Sequence, residues 1–167
     1  IIAKKNLTKL KKESNHNIQA HQPTTLQNKI NELISIYKLG DMIKTEKLCA
    51  KVLEEYPQSA IVIHILSASL QNQGKLKESL EKYSLAIKIN PNYADSFNNR
   101  GVVFMHLNKF EESLGDFKKA IQINPNYVEA YNNLGDLYGK LNMQNKALEN
   151  FNKAIKINPG YLEPYVN

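Results

Sequence analysis

From Leu26 onward, apolar side chains recur every three or four positions, in paired runs of helical length separated by short polar breaks. Inside each pair the break falls on a residue that tolerates positive φ: Gly40, Gly74, Asn108 and Asn142, spaced 34 apart. Between pairs the break falls on a proline, Pro57, Pro91, Pro125 and Pro159, again at a period of 34. Around the last three the sequence reads Ile-Asn-Pro-Asn-Tyr, Ile-Asn-Pro-Asn-Tyr and Ile-Asn-Pro-Gly-Tyr. A proline cannot continue a helix, and it pushes the residue before it out of the helical region, so each closes the second run of its pair. The pattern predicts a repeated unit of helix, tight turn and helix over 26–59, 60–93, 94–127 and 128–161, with 162–167 opening a truncated fifth.

Side-chain size alternates at the same period. Large residues recur at Ile63, Phe97 and Tyr131, at Ile36, Leu70, Phe104 and Tyr138, and at Tyr83, Phe117 and Phe151. Small ones recur at Ser67, Gly101 and Gly135, at Ser79, Ser113 and Ala147, and at Ala86, Ala120 and Ala154. Closely crossing helices need large side chains of one opposite gaps in the other. An ordinary helical bundle would account for the apolar period but not for the fixed spacing of glycine, alanine and proline.

These positions resemble the tetratricopeptide repeat family, whose 34-residue pattern of large, small and proline positions is the one just given. The resemblance covers Leu26 to Asn167 and is strongest over Ala94 to Tyr127 and Val128 to Tyr161. It implies an all-α fold, a right-handed superhelical solenoid of antiparallel helix pairs. The first unit departs from the pattern, with Lys29, Glu32 and Leu33 where an aromatic, a leucine and a glycine are usual, and Arg100 replaces the usual apolar residue beside Gly101. Arg100 reads as a stem packed along its helix with its head in water, an anion contact being the alternative.

Composition narrows the function classes. The single cysteine, Cys49, excludes an intrachain disulfide and stands where other units carry Tyr83, Phe117 and Phe151, so it is expected in the core. No apolar run reaches the roughly 20 residues of a membrane span and no secretion leader is visible, which places the protein in the cytoplasm. Asn6-Leu7-Thr8 matches a glycosylation sequon that this compartment would leave unused. Of the net charge of +6, +4 falls on residues 1–25, a basic and partly disordered leader or decayed repeat; Pro23 continues the spacing backwards. The repeats hold the remaining +2 and show no basic stripe, so no nucleic acid is expected as partner. Thr24 and Gln27 read as a capping box. Beyond Asn167 no polar capping element follows, which makes self-association through an uncapped end one expectation.

No metal spacing, phosphate loop or nucleophile motif is present: neither His16, His21, His64 nor His106 has a partner ligand at helical spacing. No cofactor and no catalysis by this segment are expected, and His64 and His106 read as polar surface residues. In a superhelix of helix pairs the first helices line the concave side, and asparagine recurs there. Asn31, Asn99, Asn133 and Asn167 share one repeat position, beside Asn98 and Asn132, with Ile65 interrupting the row. An amide offers donor and acceptor to an extended peptide backbone. The row is similar to the asparagine ladder in the repeat domain of O-linked N-acetylglucosamine transferase, which holds substrate peptides; asparagine is also abundant elsewhere in this chain. With Tyr37, His64, Gln71, Met105, His106 and Asp136, these residues form the candidate peptide-binding face. The expected function is a protein-interaction scaffold binding a peptide or partner segment there. The alternative is the substrate-docking arm of a larger enzyme, resembling glycosyltransferases or sulfotransferases that carry such repeats.

Overall fold

The computed structural model describes residues 25–160 and places eight α-helices there, without strands among the described residues. In chain order they are α1 (Leu26–Lys38), α2 (Met42–Glu55), α3 (Ala60–Asn72), α4 (Leu76–Ile89), α5 (Ala94–His106), α6 (Phe110–Ile123), α7 (Val128–Lys140) and α8 (Gln144–Ile157). The leader with its sequon, His16, His21, Pro23 and Thr24, and the segment 161–167, lie outside the described residues. The α1 N-cap is Thr25, whose side chain makes no capping bond, and the Gln27 amide donates to Asn31 Oδ1; the expected capping box rests on Thr24, outside the described residues.

Local chemistry explains both kinds of break. Gly40, Gly74, Asn108 and Asn142 take φ of 81°, 75°, 57° and 58°, the left-handed region that glycine enters freely and asparagine tolerates. At the prolines, Asn90, Asn124 and Asn158 leave the helix in extended conformation, and each accepts at Oδ1 from the backbone N–H two residues on, at 3.1, 3.1 and 3.2 Å. The repeated Asn-Pro thus combines an Asx turn with a fixed φ, which ends one helix and aims the next.

Within pairs the helices approach through the small positions. A Cβ on Gly101 would stand 2.7 Å from Phe117 Cε1, and one on Gly135 would stand 2.6 Å from Phe151 Cε1. Ser79 and Ser113 are buried and donate across the pair to the carbonyls of Ser67 (2.9 Å) and Gly101 (2.8 Å), so their small size comes with a cross-link. In the first pair the sizes are exchanged: Leu33 occupies the small position and Cys49 the aromatic one, both fully buried in one cluster. Burial pushes the Cys49 thiol up to about 12, as suits a core side chain.

Arg100 does not carry its head into water. Its Nε and one terminal nitrogen donate to both oxygens of Asp116 at 2.7 and 2.8 Å, its other terminal nitrogen donates to Ser84 Oγ at 3.0 Å, and Phe97 and Phe104 flank the guanidinium. Asp116 is buried, so a bidentate pair replaces the apolar contact made by Leu66 and Leu134 at the same repeat position.

Helix contacts define the curvature. Among the described residues each first helix touches the next first helix (α1 to α3, α3 to α5, α5 to α7), each second helix touches the following first helix, and no second helix touches another second helix. The stack is therefore tight along α1, α3, α5 and α7 and splayed along the outer row, which makes the first helices its inner face. The molecule is an all-α repeat solenoid. No described helix is long and apolar enough to cross a membrane.

Candidate functional site

At helical spacing, residues of α1, α3, α5 and α7 that pack against neither partner helix point along the inner face. Its first half is apolar. Ile34, Tyr37, Ile61, His64, Ile65, Ala68, Tyr93 and Asn99 wall a cavity of about 330 Å³ together with Lys38, the one charged residue of the lining. Ile34 and Ile61 are 36% and 43% exposed, unusual for isoleucine.

His64 forms part of the cavity wall and is not a surface residue. Its Nδ1 is 2.9 Å from Ser96 Oγ, and its ring lies edge-on to Tyr83 at 5.4 Å and tilted on Tyr93 at 4.9 Å. Burial lowers its pKa to about 4 against the opposing pull of Asp95, so the imidazole is neutral at physiological pH. Burial likewise raises the Tyr93 hydroxyl to about 12, with Asp95 adding to the shift. Tyr93 thus serves the groove as well as the gap between helix pairs.

The second half is polar, and its amides are joined. Asn133 Nδ2 donates to Asn98 Oδ1 at 2.9 Å, and Asn98 Nδ2 donates to Asn99 Oδ1 at 3.1 Å. Beside this row the Tyr83 hydroxyl donates to Gln71 Oε1 at 3.1 Å. The two amide bonds run in one direction from α7 to α5 and leave an acceptor at Asn133 Oδ1, and the separate Tyr83 bond leaves a donor at Gln71 Nε2. Low-dielectric surroundings strengthen such a chain and fix each amide's orientation.

The candidate residues separate accordingly. Tyr37, His64 and Asn99 meet at the cavity, while Gln71 is half-buried beside the amide chain and Asn99 and Asn133 are half-buried along it. Asn98 is 4% exposed and serves as its internal link. Met105 is buried in the cluster with Phe117 and Leu137, a core position. Asn132 is half-buried and His106 and Asp136 are exposed; Asn31 is exposed and engaged with Gln27. Partial desolvation raises the otherwise exposed Asp136 carboxyl while Lys140 opposes the shift. The sequence reading missed Ile34, Ile61 and Ala68. Ile34 and Ile61 carried a signal, as apolar residues at exposed groove positions, whereas Ala68 is buried with Tyr83 and Val103. Among the described residues no group of three or more His, Cys, Asp or Glu side chains could hold a metal ion.

Known proteins match in the same region. A TPR repeat family model matches residues 72–108 and 103–142, and a tetratricopeptide repeat model matches 128–161, together more than half of the chain. No curated protein matches. Among solved structures, MamA from Desulfovibrio magneticus RS-1 has a TM-score of 0.71 at 18% identity, over 84% of this chain and 80% of that one. Pseudomonas aeruginosa pilF has 0.75 at 23%, over 80% and 61%. A tetratricopeptide repeat protein from Parabacteroides merdae ATCC 43184 has 0.67 at 23%, over 81% and 54%. At these identities the likeness is one of fold.

Proposed function

The chain belongs to the tetratricopeptide repeat family, whose members generally mediate protein–protein interactions, and from that premise we propose that its inner face binds an extended peptide segment of a partner protein. The observation that carries this reading is the oriented amide row from Asn133 through Asn98 to Asn99, with Gln71 held beside it by Tyr83, which presents an acceptor and a donor on the inner face. A peptide backbone offers the complementary N–H and C=O whatever its side chains, so the row reads main chain, as the similar ladder of the transferase repeats does. The ordering of the amides is already provided by the fold, which lowers the entropic cost of binding. A docking arm of a larger enzyme would use the same surface.

The test uses peptides selected by the chain from a phage-displayed random dodecapeptide library. Asn99→Ala together with Asn133→Ala removes about two hydrogen bonds, each worth about 1 kcal/mol, so affinity falls roughly tenfold or more while helicity is kept. Unchanged affinity in a variant of unchanged circular dichroism would remove the amides from the function.

A further inference from the structure

Resting on that peptide-binding reading, we propose that the cavity walled by Ile34, Tyr37, Ile61, His64, Ile65 and Ala68 is an anchor site for one large uncharged side chain, in a partner peptide that turns basic where it crosses α5 and α7. The lining selects against charge. Its walls are mostly apolar, so a charged anchor would lose its hydration there; His64 adds a neutral ring tied at Nδ1 to Ser96, and Lys38, the one charged residue of the lining, repels a cationic anchor. Ile34 and Ile61 belong to this lining and are exposed, and a side chain that fills the cavity removes their apolar surface from water.

Charge reverses beyond the cavity. Asp95 and Glu129 hold the same repeat position on α5 and α7, and Asp136 joins them, against Lys140 alone among the groove positions of these two helices that carry full charge. Arg100 offers no compensation, because Asp116 consumes it. A peptide segment lying there meets a negative field and is best matched by lysine or arginine. Neighbouring helices pack about 10 Å apart and an extended chain advances about 3.3 Å per residue, so the basic residue follows the anchor by about three to six positions.

The same library selection on the full chain tests this. Enriched sequences are expected to share a large aliphatic or aromatic residue with lysine or arginine three to six positions away. In a selected peptide, anchor→Ser lowers affinity tenfold or more, and the Ile34→Asp/Ile61→Asp variant shows the same loss for the unaltered peptide. Asp95→Asn/Glu129→Gln removes the preference for lysine over glutamine while keeping dependence on the anchor. Enriched peptides without a common apolar position, or full affinity in the isoleucine variant, overturn the proposal. If the isoleucine variant binds normally while Asn99→Ala/Asn133→Ala does not, the anchor fails and the amide reading stands; if neither alters binding, both fail. The full chain stays monomeric in sedimentation at the concentrations used, and a dimer that the peptide dissociates would assign the cavity to a second copy. Replacing Lys4, Lys5, Lys9, Lys11 and Lys12 with serine leaves peptide affinity unchanged, and a rise would assign it to the chain's own leader; either result overturns the partner assignment.

Discussion

Arg100 and His64 show how far a single position can be read in isolation. The arginine's identity and its place beside Gly101 were plain in the sequence, but its partner lies 16 residues on, on another helix, and no period links them. Because Asp116 is buried, Arg100→Leu leaves a lone carboxylate and is expected to cost about 3–5 kcal/mol by chemical denaturation. Adding Asp116→Asn reproduces the Leu134 and Asn150 of the last pair and should return stability to within about 1 kcal/mol of the parent. A double variant as unstable as the single would contradict the pairing. His64 carries a pH signature. The folded chain holds the ring neutral down to about pH 4, whereas the unfolded chain protonates near 6.5, so more protons are bound unfolded in between. The contribution is complete above 6.5 and falls as the pH drops through that window, by at most about 1.4 kcal/mol per unit. His64→Gln should lose less stability than the parent between pH 7 and pH 5; parallel losses would place His64 in water.

Among elements, the helix and its breaks were the most legible features, since apolar period, positive-φ turn and Asn-Pro stop each rest on neighbouring residues. The fit of one helix against another was legible only where it followed the pattern. Leu33 and Cys49 stood out as two separate departures, and only their shared cluster shows that one compensates the other. The exchange should be transferable. Gly101→Leu alone drives a side chain into Phe117 and is expected to cost about 3 kcal/mol or more, overpacking costing typically 1–3 and here meeting a ring at contact distance. Phe117→Cys in the same chain should recover at least half of that loss in urea midpoint. Additive losses would mean that the two sites do not share a gap.

At the scale of the stack, contacts along the inner row and none along the outer one among the described residues make the groove a consequence of stacking rather than of any one residue. The sequence placed asparagines on that face but could not tell a free amide from one already bonded, so Asn98 and Met105 were counted with the exposed groups although one is an internal link and the other is core. It also drew attention to polar residues and away from Ile34 and Ile61, which only the cavity joins. What the molecule does turns on which face receives a partner. Titration of the nitrogen-15-labelled full chain with a library-selected peptide, read by amide shift changes, decides this most directly. Changes are expected along α1, α3, α5 and α7, centred on Ile34, His64, Asn99 and Asn133, and changes concentrated on α2, α4, α6 and α8 would contradict binding on the inner face.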